Sequence, residues 1–184
     1  MLEALQNLDG NILFWIQENL RSDLLTPIII FVTDLGKAGF IWILLAIGLL
    51  IPKKTRVTGI MCAVALIIFL VLNNMILKNL VARPRPYDVI PELVPLVPKL
   101  HDFSFPSGHT ASSFAVAVVI LNKLPKRFSM PVLILAILIG LSRLYLGVHY
   151  PTDVIFAVFE GIFIGCVAEK IVSSIVNIQR SGEE

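Results

Sequence analysis

Long apolar segments dominate the chain, and short polar or basic stretches separate them. Five segments come near the roughly 20 residues that an α-helix needs to cross the hydrocarbon core of a bilayer. They cover approximately residues 24–51, 57–77, 108–122, 129–148 and 152–176. The pattern predicts an all-α integral membrane bundle with about five transmembrane helices.

The first apolar segment and the N-terminus differ from a plain span. Asp34, Gly36, Lys37 and Gly39 interrupt the first segment, so it is expected to be kinked or broken there. Within residues 1–20, apolar side chains recur at helical spacing between polar ones. The apolar positions are Leu5, Leu8, Ile12, Ile16 and Leu20. We expect this stretch to form an amphipathic helix lying at the membrane interface.

Composition supports a membrane protein with one domain over residues 1–184. The chain is 57% hydrophobic and 15% charged, whereas a soluble domain carries about 25% charged residues. The mean hydropathy is +0.86. A formal net charge of +2 is too small and too dispersed to indicate a nucleic-acid partner. Cys62 and Cys166 both lie in apolar runs, where cysteine acts as a small hydrophobic side chain.

Basic residues in two short connections predict the orientation in the membrane. They are Lys53, Lys54, Arg56, Lys123, Lys126 and Arg127. Lys170 and Arg180 follow in the region of the fifth segment's end. All three basic regions fall on one side of a simply woven chain, and that side is expected to be cytoplasmic. The segment 78–107 then forms an outward loop, in which the prolines of 83–105 exclude a continuous helix. We expect a multi-pass protein of the plasma membrane whose site faces the extracytoplasmic side.

Lys78 ends the second apolar segment, and Arg85-Pro86 follows it closely. Arginine presents a planar fork of donors that fits phosphate oxygens, and lysine adds a compact positive charge. The cluster therefore fits a phosphate site. Anchoring of the helix end to lipid headgroups is the alternative.

The run Pro106-Ser107-Gly108-His109 precedes the third apolar segment. The first amides of a helix lack internal partners and attract anions, and glycine lets a ligand approach the backbone. This run is a candidate anion site, and a plain helix start with Ser107 as N-cap is the alternative.

The third cluster is Ser142-Arg143 with His149 and Asp153. A cation inside an apolar span is expensive unless it faces water or a partner, so Arg143 indicates function. Gly147 is expected to end that helix. Asp153 follows His149 by four residues and can orient its ring, leaving the other ring nitrogen free as a nucleophile.

These three motifs, in this order, resemble the signature of the type 2 phosphatidic acid phosphatase family, which also includes vanadium-dependent haloperoxidases. The resemblance covers residues 78–153 without a mismatch. It implies that His149 attacks phosphorus, that Asp153 orients it, and that His109 protonates the leaving oxygen and then activates water. It also implies a set of phosphate-binding residues: Lys78, Arg85, Ser107, Gly108 and Arg143. No metal or cofactor is implied.

A site at the end of membrane helices favours a lipid phosphate over a soluble metabolite. By analogy with the family that the motifs resemble, we expect undecaprenyl pyrophosphate as the substrate, followed by phosphatidylglycerol phosphate and phosphatidic acid. A lipid phosphotransferase, a haloperoxidase and a non-enzymatic anion carrier are the other classes, and the oligomeric state is open.

Glu160 lies about 10 Å deeper than Asp153 on the same helix face. It either bonds to a neighbouring helix through Asn73 or Asn74, which we favour, or lines the pocket. Small residues beside it predict a close helix-packing seam. They are Ala157, Gly161 and Gly165.

Overall fold

The computed structural model describes the backbone of residues 2–181 and the side chains of residues 5–178. Every regular element in that range is helical. The α-helices are α1 (Leu2–Asn19), α2 (Leu25–Leu35), α3 (Phe40–Leu50), α4 (Arg56–Phe69), α5 (Lys78–Val81), α6 (Pro86–Val89), α7 (Gly108–Lys123), α8 (Lys126–Tyr145) and α9 (Pro151–Ser181). A 3₁₀-helix (Lys37–Gly39) joins α2 to α3, and a π-helix (Leu70–Leu77) joins α4 to α5.

The first apolar segment is broken where the polar interruption predicted. Helices α2 and α3 meet at 45°. Ala38 and Gly39 take positive φ values of 51° and 71°, in the left-handed region that stops an α-helix. The break places the C-terminal end of α2 beside the cluster of charged residues described below.

The second apolar segment changes from α- to π-helix in its C-terminal part. The π-helix holds Asn73 and Asn74, and the buried Asn73 amide donates to Glu160 Oε2 at 2.9 Å. The first of the two alternatives for Glu160 is therefore the observed one. π-Helices are rare and frequently occur at functional sites, and this one ends directly before Lys78.

Helix α7 lies at the centre of the bundle and packs against α4, α8 and α9. The predicted small-residue seam of α9 faces it. A Cβ atom on Gly161 would lie 2.6 Å from the Ala111 carbonyl oxygen, and one on Gly165 would lie 2.7 Å from that of Ala115. The seam therefore brings the backbones of α7 and α9 into close contact, and at their N-terminal ends the Ser107 amide lies 3.4 Å from the Asp153 carbonyl oxygen.

An all-α membrane bundle is confirmed. By length and composition, two stretches of the described chain can cross a membrane, Arg56–Val89 and α8, and the bent pair α2–α3 raises the number to three. Large apolar side chains are exposed around the bundle, among them Phe31, Ile134 and Phe159, as expected of surfaces that face lipid. The number of five spans stays a prediction.

Helix α1 occupies nearly the whole of the stretch 1–20, although Met1 lies outside the described residues. Its placement at the membrane interface stays a prediction. The segment 78–107, predicted as a loop, begins with the two short helices α5 and α6. Pro86 stands in the first turn of α6, where its missing amide costs no hydrogen bond. The chain from Ile90 to Ser107 has no regular helix, as its prolines predicted.

Candidate active site

The three sequence clusters meet in one cavity of about 330 Å³. Six of the eight predicted site residues line it: Lys78, Arg85, Gly108, His109, Arg143 and His149. The other two, Ser107 and Asp153, lie behind this wall. The cavity forms where the C-terminal ends of the π-helix and α8 and the N-terminal end of α7 approach the turn between α8 and α9.

His149 lies in that turn, which local sequence signals build. Gly147 ends the α8 region with a φ of 71°, and Pro151 begins α9. The ring of His149 is 2% exposed; its Nδ1 lies 3.6 Å from Asp153 Oδ2, and its Nε2 lies 3.4 Å from Arg85 Nη1. Burial lowers the pKa of His149 to about 4, so the ring is neutral at pH 7. A neutral imidazole with Nε2 facing the cavity is the form that a nucleophile requires.

Asp153, in the first turn of α9, is fully buried and held by several donors. Its Oδ1 accepts from Arg83 Nη1 at 2.6 Å. Its Oδ2 accepts from Ser104 Oγ at 2.5 Å and from the Tyr150 amide at 3.0 Å. The Nδ1 atom of His149 makes no hydrogen bond within 3.5 Å, so a shift of a few tenths of an ångström completes the orienting contact. Such contacts commonly tighten when substrate binds.

Arg85 and Lys78 share the carboxylate of Asp102. Arg85 is 2% exposed; its Nη2 donates to Asp102 Oδ1 at 2.6 Å, and its Nη1 donates to the Val148 carbonyl at 2.7 Å. Lys78 pairs with Asp102 Oδ2. Partial burial alone would raise the pKa of Asp102, but the two cations outweigh it and hold that pKa well below its usual range.

Arg143 is the third cation of the cavity and comes from the last turn of α8. It is 3% exposed, and its Nη1 donates to the Thr33 hydroxyl of α2 at 2.5 Å. Its Nε atom has no hydrogen-bond partner. Three cations face the cavity with one lining carboxylate, Asp102, between them. The cavity therefore carries surplus positive charge that a bound anion would neutralise.

His109 and Gly108 belong to the first turn of α7, which starts at Gly108 as predicted. Both are half-buried at the cavity. Gly36 backs the ring of His109: a Cβ on Gly36 would lie 3.0 Å from His109 Cδ2. Because Gly36 has no side chain, the His109 ring can pack directly against the backbone at the break of the first span.

Ser107 is one of the two predicted site residues that do not line the cavity. It occupies the N-cap position of α7, but its side chain makes no capping bond. Its fully buried hydroxyl lies 2.9 Å from Thr110 Oγ1, so the structure does not bring it to the cavity wall. This contact gives the hydroxyl a partner at the start of α7.

Sequence reasoning missed several residues that hold the site together. They are Asp9, Thr33, Arg83, Asp102 and Ser104. Arg83 stands two residues before Arg85 in an Arg-Pro-Arg-Pro run, and this second arginine beside the first cluster is a sequence signal for its involvement. Asp102 lies in an irregular segment, where acid spacing gives no indication of which cation it meets.

The chain belongs to the PAP2 superfamily, whose model matches residues 56–175. The matched range contains all three clusters and the helices α4 to α8, together with most of α9. It begins after α1, α2 and α3, which lie outside it.

Similar proteins agree with this membership. An undecaprenyl-diphosphatase from Sulfolobus acidocaldarius is 34% identical over 150 residues, covering 82% of this chain and 72% of the relative. The undecaprenyl-diphosphatase BcrC of Bacillus subtilis is 32% identical, covering 79% of this chain and 74% of the relative. The crystal structure of a transmembrane PAP2-type phosphatidylglycerolphosphate phosphatase from Bacillus subtilis aligns with a TM-score of 0.77 at 26% identity, covering 94% of this chain and 88% of the other.

Proposed function

We propose that this protein is an integral membrane lipid phosphate phosphatase that works through a phosphohistidine intermediate. Its preferred substrate in this proposal is undecaprenyl pyrophosphate. One observation carries the proposal: two imidazoles and three cations from distant parts of the chain converge on one cavity of about 330 Å³. The family and the named relatives support the same class of reaction.

In the first step, Nε2 of His149 attacks the terminal phosphorus. A nitrogen–phosphorus bond forms while the bond from phosphorus to the bridging oxygen breaks, and its electron pair leaves with undecaprenyl phosphate. His109, which lines the same cavity, donates a proton to the leaving oxygen where one is needed. A positioned general acid supplies about 10²- to 10⁴-fold in rate.

In the second step, water replaces the histidine. His109 accepts a proton from the water, whose oxygen attacks the phosphorus of the phosphohistidine. The nitrogen–phosphorus bond breaks, its electron pair returns to Nε2, and inorganic phosphate leaves. Lys78, Arg85 and Arg143 stabilise the charge on the phosphoryl oxygens in both steps, and one well-placed donor of this kind contributes about 10²- to 10³-fold.

An apolar groove next to the cavity supports a lipid substrate. The groove has a volume of about 430 Å³, lies between α3 and the α4–π-helix stretch, and is almost purely hydrophobic. It shares four lining residues with the cavity: Ala38, Gly39, Phe69 and Leu70. A phosphate bound by the cations would therefore leave the attached hydrocarbon chain a continuous path along the membrane-facing helices.

Phosphatidylglycerol phosphate is the second candidate substrate, favoured by the structural likeness to a phosphatidylglycerolphosphate phosphatase. Its terminal phosphate offers the same oxygens to the cavity. The leaving group is an alkoxide instead of a phosphate, so this substrate depends more strongly on protonation by His109. Phosphatidic acid places the same demand on the site.

We also propose that the cavity faces the extracytoplasmic side of the plasma membrane. The chain leaves the cavity along α7, so the α7–α8 connection with Lys123 and Lys126 lies at the opposite end of the bundle. The α3–α4 connection with Lys53 and Lys54 lies at that end as well, because α4 leads from it toward Lys78. Short basic connections favour the cytoplasm.

Purified protein in detergent tests the proposal with a substrate panel. Undecaprenyl pyrophosphate, phosphatidylglycerol phosphate and phosphatidic acid are each supplied with and without a chelator, and phosphate release is measured. We expect the highest kcat/KM with undecaprenyl pyrophosphate and no effect of the chelator. Activity on none of the three would refute the lipid phosphatase proposal, and strict dependence on a metal would refute the mechanism.

A further inference from the structure

Asp9 is an acid on the amphipathic helix α1 that the fold buries almost completely. It is 2% exposed, although the sequence pattern placed it among the polar positions of an interfacial helix. Its Oδ1 accepts from the Thr152 amide at 3.1 Å, and its Oδ2 accepts from Arg83 Nη2 at 2.8 Å and from the Thr152 hydroxyl. A buried carboxylate with this many partners is specifically placed.

Arg83 connects Asp9 to the proposed catalytic residues. Its Nη1 donates to Asp153 Oδ1 at 2.6 Å and to Thr152 Oγ1 at 2.8 Å. Its guanidinium carbon lies 3.8 Å from the centre of the Tyr150 ring, which fixes the plane of the fork. One guanidinium is thus shared by two carboxylates, and the second of them faces His149 at 3.6 Å.

We propose that Asp9 and Arg83 are positioning residues for His149, acting through Asp153, so that helix α1 is part of the catalytic unit. The inference rests on the proposed role of His149 as the nucleophile. It concerns residues outside the three motifs, and Asp9 lies outside the part of the chain that matches the family model, residues 56–175.

The arrangement of charges explains why two carboxylates are needed. Asp9, Arg83 and Asp153 together carry a net charge of −1. The ring of His149 becomes positively charged when its Nε2 bonds to phosphorus, and this net negative charge then stabilises it. Without the charge of Asp9, Arg83 would pair with Asp153 alone, and the group facing His149 would be electrically neutral as a whole.

This stabilisation is greater in the phosphorylated state than in the substrate complex. Interactions that strengthen along the reaction raise kcat, whereas interactions equal in both states change KM. Loss of Asp9 is therefore expected to lower kcat and leave KM nearly unchanged. Partners that orient the ligands of metal sites from outside typically contribute 10- to 100-fold, and we expect a factor at the lower end of that range here.

Asp9→Asn tests the inference with the smallest change of shape. The asparagine oxygen can still accept from the Thr152 amide, so the docking of α1 is retained while the charge is removed. Glu18→Gln is the matched control, because Glu18 is an exposed acid on the same helix. Thr152→Val is a second variant that removes the hydroxyl bridging Asp9 and Arg83 without changing either charge.

The measurements are steady-state kinetics and single-turnover phosphoenzyme formation, with ³²P-labelled farnesyl pyrophosphate as a short-chain probe and thermal unfolding in detergent as a check of folding. We expect Asp9→Asn to lower kcat and the rate of phosphoenzyme formation by about tenfold, with KM within about twofold of wild type and an unchanged unfolding temperature. Thr152→Val should lower kcat in the same direction by a smaller factor, and Glu18→Gln should behave as wild type.

Wild-type kcat in Asp9→Asn and Thr152→Val would overturn the inference, as would a loss explained wholly by a raised KM or by unfolded protein. Failure of the proposed function gives a different result. In that case wild-type protein itself forms no phosphoenzyme on His149, whereas failure of the positioning role alone leaves phosphoenzyme formation equally fast in wild type and Asp9→Asn.

Discussion

Replacing Asp102 by asparagine is expected to tighten the binding of inorganic phosphate about tenfold. Asp102 pairs with Arg85 at 2.6 Å and with Lys78, and both cations line the cavity in which we place the substrate phosphate. A bound phosphate must therefore compete with the carboxylate for the same donors. Removing the charge of Asp102 removes the competitor and its repulsion of the anion.

The structure sets the size of this effect. Two unit charges about 4 Å apart interact by about 4 kcal/mol at an effective dielectric constant of about 20. The Asp102 side chain is 52% exposed, so solvent screening reduces each contact to at most about 1 kcal/mol. Asparagine keeps one acceptor for Arg85, which leaves a net change of about 1.4 kcal/mol, equivalent to tenfold in affinity.

Arg85 is expected to keep its orientation in the variant. Its Nη1 donates to the Val148 carbonyl at 2.7 Å, and its Nε donates to the Asp102 backbone carbonyl at 2.9 Å. Neither bond involves the substituted carboxylate. The removal of charge is therefore separable from a loss of geometry at the main phosphate donor.

The assay is competitive inhibition of farnesyl pyrophosphate hydrolysis by inorganic phosphate at one fixed pH. Asp88→Asn serves as the matched control, because Asp88 is a half-exposed acid of the same segment 78–107 that pairs with Lys99 at 3.8 Å and does not line the cavity. The control should keep the wild-type inhibition constant. An inhibition constant that rises in Asp102→Asn would refute the reasoning and would make Asp102 an orienting partner of the cations.

Two further substitutions test the packing and the substrate path. Gly161→Ala should lower the free energy of unfolding by about 1–3 kcal/mol, because its Cβ would lie 2.6 Å from the Ala111 carbonyl oxygen. Gly48→Ala is the control, because a Cβ there would meet nothing within 4 Å. Unfolding in detergent measures both variants, and equal stabilities would contradict the close packing of α7 and α9. Ala63→Phe should fill the apolar groove and raise the KM for undecaprenyl pyrophosphate severalfold, with no change in the KM for farnesyl pyrophosphate. Ile134→Phe, at an exposed position outside the groove, should leave both KM values unchanged. Equal effects of Ala63→Phe on both substrates would exclude the groove as the path of the hydrocarbon chain.

The sequence predicts those parts of the site that depend on helix ends. Gly108 and Pro151 start α7 and α9, and Gly147 ends the α8 region. These signals are local, so the three clusters can be placed at one end of the bundle before any tertiary contact is known. The break of the first span follows in the same way from its glycines and charges.

The remaining parts depend on tertiary contacts that leave no periodic pattern. Asp9 reads as one more polar position of an amphipathic helix until α1 docks on Arg83 and Thr152. The partners of Asp102 depend on the path of an irregular chain rich in prolines. Nothing in the sequence marks the π-helix, although its Asn73 donates a hydrogen bond directly to Glu160 of α9.

Identification of the phosphorylated residue tests the central claim most directly. Protein is mixed with substrate ³²P-labelled at the terminal phosphate, quenched in alkali after a single turnover, digested and sequenced by mass spectrometry. We expect phosphate on Nε2 of His149, accumulation of this species in His109→Ala because its hydrolysis is slowed, and none in His149→Ala. Label on another residue, or wild-type turnover by His149→Ala, would contradict the account.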